Sequence, residues 1–388
     1  MEIHGVFDIH EHKANCQEMA EKIGILTFHC AHNYGAVLQT YATQVLLTQA
    51  GYEVDVIDYR PDFLIKPYLI FDSSRFVGRD LISSLRHFVS ETLLFPSRLK
   101  RYRAFEKFIS GRLHLSERMY TLPMDDEYTA ILIGSDQVWN RNITGGKFDP
   151  MYFGEDKSGT RYIADAVSME SESLSDEDAE YIKSKLKNFT AISVRESQLA
   201  SLLSDKCGAQ VEHIQDPVIQ VDPKVWHDLA TPSRMTNPYI LVYRLRDHES
   251  INPFVRKLAS ELSADIVEVN PFPDGRKLFH SRQSESVEGF LGLIKGAACV
   301  VTTSYHAVLF STLFSRPFYC FHFGTGHDTR QSSFLKAVGL EERMLPFGAD
   351  VPVRKDCESA YSLECLERMR KHSADFILNS LLGCYGDK

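Results

Sequence analysis

Four short segments of this 388-residue sequence gather side chains able to bind anions or move protons, and each follows an apolar run of strand length. The first, His29-Cys30-Ala31-His32-Asn33-Tyr34-Gly35-Ala36, leads into a helical pattern, so the chain around Gly35 would offer backbone N–H groups to an anion. It lacks the spacing of a dinucleotide fingerprint or a P-loop, and a plain helix entry with Asn33 as a turn residue is the alternative. The second, Gly134-Ser135-Asp136-Gln137-Val138-Trp139-Asn140, allows close backbone approach at Gly134 and Ser135 and supplies a carboxylate to orient a hydroxyl or a histidine. Its alternative is a tight turn with Asp136 capping the next helix.

The third segment, Ser193-Val194-Arg195-Glu196-Ser197, puts an arginine at the carboxyl end of a buried strand. A guanidinium there needs an anionic ligand or an internal partner, Glu196 or Asp216. The fourth, Thr302-Thr303-Ser304-Tyr305-His306-Ala307-Val308, sets His306 in the first turn of a helix beside three hydroxyl-bearing residues. The positive end of a helix dipole favours neutral imidazole, which suits acid–base work. Farther on, Arg330 lies beside a helix predicted to begin near Phe334, and is either an anion ligand or a surface arginine.

These segments need a frame. Strand-like runs at 23–28, 54–58, 130–133, 162–164 and 191–194 alternate with helical periodicity, notably 37–46 and 176–188. Gly51 is the expected close of the first helix. Turn-rich residues 230–238 read as a linker. A second alternating series follows, with strands at 239–243, 265–269, 299–302 and 318–321 and a last helix at 363–382. Alternation of this kind predicts two α/β lobes, each a Rossmann-like parallel sheet, facing a cleft at the carboxyl ends of their strands. The expected divisions are a loose leader at 1–21 and a first lobe at 22–232 carrying a mostly helical insertion at about 63–123. A second lobe at 233–355 and a C-terminal helix at 356–388 complete them.

Composition narrows the class. With 44% apolar and 24% charged residues the chain reads as globular, and no apolar run approaches the length of a membrane span. The leader has no apolar core, so it is not read as a signal peptide. The eight cysteines form no Cys-x-x-Cys pair and read as reduced cytoplasmic thiols. The fifteen histidines show no metal-ligand spacing, and no Gly-x-Ser-x-Gly elbow is present, which argues against a metal hydrolase and a serine hydrolase. A net charge of −9 argues against nucleic acid as a partner. Residues 75–118 nevertheless carry ten Lys/Arg against four Asp/Glu, either a solvated helical face or a surface for an anionic substrate or a membrane.

Taken together, Asn33-Tyr34-Gly35-Ala36-Val37-Leu38-Gln39-Thr40-Tyr41, the Gly134–Asn140 segment, Ser193-Val194-Arg195-Glu196 and Thr303-Ser304-Tyr305-His306-Ala307 with Ser315-Arg316-Pro317-Phe318 resemble the polysaccharide pyruvyl transferase family. The similarity runs in order from about Ile23 to about Arg343. It implies a GT-B-like pair of lobes in a cytoplasmic bacterial enzyme, with the inner face of the membrane as a further expected place of work. It further implies transfer of pyruvate from phosphoenolpyruvate to a sugar or lipid-linked oligosaccharide acceptor, often as a cyclic ketal, with no nucleotide cofactor and no metal. Carried onto this sequence, it makes His306 and Asp136 the catalytic pair. Arg195, Arg330, Asn33, Gly35, Ser135 and Ser304 become donor ligands, and Gln137, Trp139, Asn140 and Tyr305 acceptor ligands. Some relatives have an aspartate where this chain has Ala36 and an arginine where it has Ser304, so either Arg330 or Arg244 replaces the missing cation or the donor is held differently. Oligomeric state is not legible. Two other readings stay open: a GT-B glycosyltransferase using Glu268 for a nucleotide ribose, and a binding protein of glycan assembly without catalysis.

Overall fold

The computed structural model describes residues 21–70, 81–119, 127–154, 159–169, 173–270, 280–281, 284–324, 328–349 and 363–383. The predicted leader lies outside them. The first lobe runs β1 (Lys22–Leu26), α1 (Tyr34–Gln49), β2 (Glu53–Tyr59), α2 (Asp62–Ile65), α3 (Leu81–Arg112), β3 (Leu115–Met119), β4 (Ala130–Gly134), β5 (Arg161–Val167), α4 (Asp176–Leu186), β6 (Phe189–Val194), α5 (Ser197–Cys207), β7 (Glu212–His213), α6 (Pro217–Gln220) and α7 (Pro223–Leu229). The second runs β8 (Tyr239–Tyr243), α8 (Ile251–Leu262), β9 (Asp265–Val269), β10 (His280–Ser281), α9 (Val287–Gly296), β11 (Cys299–Thr302), α10 (Tyr305–Leu313), β12 (Phe318–His322), α11 (Thr329–Val338), β13 (Met344–Pro346) and the trailing α12 (Leu363–Leu381).

Both sheets are parallel and share one winding. The first has the order β3-β2-β1-β4-β5-β6-β7 and the second β10-β9-β8-β11-β12-β13. Central strands such as β4, Ala130-Ile131-Leu132-Ile133-Gly134, are buried along their length, as continuous apolar runs in a sheet covered on both faces should be. The expected pair of Rossmann-like lobes with a trailing helix is therefore what the chain forms. In each sheet the winding reverses beside the first strand, between β1 and β4 and between β8 and β11. Register fixes those neighbours: Ile25 lies opposite Leu132, and Val242 opposite Val301. Loops leaving such paired strands diverge, and the crevice between them is where this topology holds ligands.

Two predicted details change. The helical insertion ends in an edge strand, β3, paired in parallel with β2 through Val56 and Leu115. Helix α11 starts at Thr329, not near Phe334, because its polar first turn carries no apolar periodicity to mark it. Gly51, at φ 83°, does stand just past the end of α1.

The lobes share one apolar core. Helices α1 and α10 are buried almost all round, as helices held between two layers must be. Tyr34 of α1 stacks on Phe290 of α9 at 4.1 Å and meets Tyr243 edge-on at 5.9 Å. Its hydroxyl donates to the Glu285 carbonyl at 2.9 Å. Residues from Ile23 through Trp226 to Phe310 thus belong to a single packed cluster crossing the lobe boundary.

Candidate active site

The loops after β1, β4, β8 and β11 converge on a cavity of about 290 Å³. Its walls include Asn33, Asp136, Gln137, Arg246, Ser304, Tyr305, His306 and Arg330, with Phe28, Leu64 and Leu245 as apolar surface. Three helix starts reach it: Asn33 at α1, Ser304 at α10 and Asp328 at α11. Asn33 caps α1 by accepting from Gly35 N–H at 2.9 Å, whereas the Ser304 hydroxyl makes no capping bond to α10. Amide groups and dipole ends aimed at one space favour an anion there.

The insertion holds the first loop in place. Arg101 of α3 is buried, donates to the His32 carbonyl at 2.8 Å and lies over the Tyr34 and Phe105 rings. Glu106 meets His32 Nε2 at 2.9 Å. Part of the basic segment is therefore a clamp on the loop that enters α1.

His306 sits at the lobe boundary. Its Nε2 lies 3.5 Å from Oδ2 of Asp216, and the Cα of Gly35 packs against its ring. A Cβ added at Gly35 would fall 2.0 Å from His306 Nδ1, so only glycine lets α1 come this close. Asp216, the capping residue of α6, also accepts from Val218 N–H at 3.0 Å and from Arg195 Nη1 at 2.7 Å. Burial alone would raise its carboxyl, but the charges and hydrogen bonds of His306 and Arg195 hold it at about 2. It therefore stays ionised and acts as a fixed negative charge behind the imidazole.

Arg195 is not where the sequence places it. Its side chain is wholly buried, with one terminal nitrogen on Asp216 and the other 3.2 Å from Asp136 Oδ1. Its Cζ lies 5.2 Å from the centroid of Tyr305. The internal partner is Asp216, and no part of Arg195 faces the cavity. The carboxylates at either side neutralise it before a ligand could, so it organises the site from behind instead of binding an anion directly.

Other assignments divide similarly. Asn33, Asp136, Gln137, Ser304, Tyr305, His306 and Arg330 line the cavity as expected. Ser135 is buried and donates to the Ala166 carbonyl at 2.9 Å, which makes it part of the β4–β5 framework and not an anion ligand. Trp139 is fully buried, donates to the Tyr152 carbonyl at 2.8 Å and stacks on Phe153 at 5.4 Å. Asn140 bonds Gln137 Oε1 at 2.5 Å and accepts from Asn142 N–H at 3.0 Å. Both are fold residues, their polar groups engaged by Tyr152, Gln137 and Asn142, and neither lines the cavity. Gly35 contributes through its missing side chain, not as a cavity wall.

Several residues escaped the sequence reading. Asp216 was visible only as a partner for Arg195; its place before Pro217, a helix-start signal, was the available cue. Arg246 and Gln331 gave no such cue. Arg244, the expected replacement cation, is consumed by Glu268 at 3.0 and 2.6 Å, Asp247 at 2.7 Å and Asn252 at 2.9 Å. Among the described residues no three His, Cys, Asp or Glu side chains are arranged to hold a metal ion.

The sequence model for the polysaccharide pyruvyl transferase family matches residues 33–322, three quarters of the chain, from the end of the first site loop through the other three. The chain belongs to that family. It is accordingly a transferase, of a family named for moving pyruvyl groups in polysaccharide synthesis. No match is found among the curated proteins. Similar solved structures include the UDP-GlcNAc 2-epimerase of Methanocaldococcus jannaschii, at 10% identity and TM-score 0.46, covering 94% of this chain and 99% of that one. The UDP-GlcNAc 2-epimerase of Neisseria meningitidis bound to UDP-GlcNAc has 10% identity and TM-score 0.45 over 94% and 100%. A UDP complex of S. aureus MnaA has 13% identity and TM-score 0.41 over 93% and 97%. No described helix of this transferase is long and apolar enough to cross a membrane.

Proposed function

We propose that this transferase moves the pyruvyl group of phosphoenolpyruvate onto a hydroxyl pair of a sugar in a bacterial surface-polysaccharide precursor, using no nucleotide cofactor. The observation that carries the reading is the convergence of three helix starts, Arg330 and His306 on one small cavity at both chain-reversal points. Phosphoenolpyruvate brings a carboxylate and a phosphate, and cations with free amides are what such a ligand requires. Ligand sites commonly span about 300–1,000 Å³, so a cavity at the small end suits a compact anion better than a nucleotide sugar.

The chemistry follows from the placement. One acceptor hydroxyl bonds to C2 of the donor as a proton reaches C3, turning the methylene into a methyl. The C2–O bond to phosphate then breaks, the second hydroxyl closes the ketal, and its proton leaves with the phosphate. Sugar diol and phosphoenolpyruvate are thereby converted to ketal and inorganic phosphate, with atoms balanced. His306, its Nε2 turned to the ionised Asp216, has Nδ1 left to exchange protons with the reactants. Asp136, held by Arg195 and lining the cavity, orients the acceptor hydroxyl. Arg330 and the start of α10 stabilise charge on the departing phosphate.

The nucleotide-sugar reading loses support because Glu268, its one candidate ribose ligand, is already engaged by Arg244. The acceptor is read as lipid-linked or otherwise presented at a membrane face. Lys100, Arg103, Lys107 and Phe95 are exposed on α3, whereas Glu106 turns inward to His32, which suits peripheral contact with anionic lipid. Sedimentation with anionic but not neutral vesicles supports that contact, and equal sedimentation with both argues against it. The transfer itself is tested by phosphate release from phosphoenolpyruvate with a panel of hexosides bearing paired free hydroxyls. Release that requires both substrates is expected; pyruvyl-free product from every acceptor would overturn the reading.

A further inference from the structure

Arg246 is the third residue after β8 and stands at the cavity wall, in a loop that the sequence does not mark as special. Three features separate it from the other arginines near the site. First, its backbone is pinned. Thr303 Oγ1, two residues before the start of α10, accepts from Leu245 N–H at 3.0 Å and Arg246 N–H at 3.3 Å, and donates to the Arg246 carbonyl at 3.3 Å. The loop is thus registered against the helix that carries His306. Second, the guanidinium rests on an aromatic shelf, its Cζ 5.6 Å from the Phe323 centroid, and a stacked guanidinium keeps its fork edges open. Third, among the described residues that fork makes no hydrogen bond and no ion pair. Arg195 is spent on Asp136 and Asp216, and Arg244 on Glu268, Asp247 and Asn252.

We infer that Arg246 is the second cation of the donor site, joining Arg330 on the cavity wall from the loop after β8. The inference rests on the phosphoenolpyruvate reading and deepens it. A phosphate or carboxylate entering the cavity meets an arginine whose fork is pre-positioned and unspent, so binding costs neither a broken ion pair nor much side-chain ordering. Arg246 is then a binding residue acting mainly on donor affinity.

The test is calorimetric titration of phosphoenolpyruvate, and separately of inorganic phosphate, into full-length wild type, Arg246→Ala, Arg246→Lys and Arg234→Ala. Arg234 is exposed between the lobes' sheets, outside the cavity lining, and serves as the charge-matched control. Arg246→Ala should weaken phosphoenolpyruvate binding about tenfold or more, Arg246→Lys by less, and Arg234→Ala by under about twofold. In turnover the loss should fall on KM rather than kcat. Should Arg246→Ala destabilise the ligand-free protein, Arg246→Lys and Phe323→Leu carry the same test through the fork and its shelf. Wild-type affinity in every Arg246 variant would overturn the inference while leaving the donor reading intact. A wild type that binds no phosphoenolpyruvate would instead remove the donor reading, and this inference with it.

Discussion

The chemistry at His306 depends on a charge it does not carry. Asp216 is buried and held ionised by Arg195 and His306 together, so the imidazole faces a carboxylate whose own position is fixed by Val218 N–H and Arg195. Removing the imidazole should cost about 10²–10⁴ in kcat, the usual contribution of a positioned acid–base group. His306→Gln is therefore expected to lose turnover while still binding phosphoenolpyruvate, and steady-state rates beside a binding titration check it. A second buried carboxyl behaves in the opposite sense. Burial pushes Asp165 up to about 7, despite hydrogen bonds from Gln220 at 3.3 Å and Thr43 at 3.4 Å, with Asp216 adding to the rise. A carboxyl raised on folding contributes stability that is full below its unfolded value near 3.8 and is lost as pH rises through 7. From pH 5 to pH 8 that loss is roughly 2–3 kcal/mol by linkage. Asp165→Asn should accordingly melt higher than wild type at pH 8, with the advantage shrinking toward pH 5. An advantage independent of pH would contradict the assignment.

At the scale of elements, the central strands and their helices were legible because buried parallel strands read as apolar runs and the helices between them as three- and four-residue periodicity. Strands β8, β9 and β11 match the sequence expectation residue for residue. Edge strands β7, β10 and β13, two or three residues long, are too short to leave a pattern, and β3 was hidden behind the charged Ser116-Glu117-Arg118. The site was legible where function leaves hydroxyls and a histidine at a strand end, as at Ser304–His306. It was misread where the same residue types serve packing: Trp139 looked like a sugar platform until the Tyr152 carbonyl and the Phe153 ring accounted for it. Arg246 stayed invisible because an exposed arginine after a strand is ordinary, and only the three-dimensional loop shows that it is unspent among the described residues. A close coupling between elements is that of α1 against α10. Gly35→Ala should be tolerated by the helix itself, since alanine favours helices, yet it drives a methyl into the His306 ring. Near-native helicity with turnover reduced at least tenfold is expected, read by circular dichroism and initial rates. Unchanged turnover would mean that the ring is free to move away.

For the molecule as a whole, the shared core is the controlling feature. Lobes joined by a short linker alone move independently, but here Tyr34, Trp226, Tyr243, Phe290 and Phe310 form one apolar cluster across the boundary. A large hydrophobic interface suppresses relative motion and couples unfolding. Calorimetry should therefore record one transition for both lobes, and two resolved transitions would show that the cluster does not bind them together. A site assembled from both lobes benefits from that rigidity, because His306 comes from one and Asp216, Asp136 and Gly35 from the other. The central claim is that this rigid, small cavity, with Arg246 and Arg330 on its wall, is built for phosphoenolpyruvate. Its most direct test is side-by-side titration of the wild-type chain with phosphoenolpyruvate and with uridine diphosphate. Saturable binding of phosphoenolpyruvate, with none or far weaker binding of the nucleotide, is the result predicted. Binding of the nucleotide without binding of phosphoenolpyruvate would contradict it.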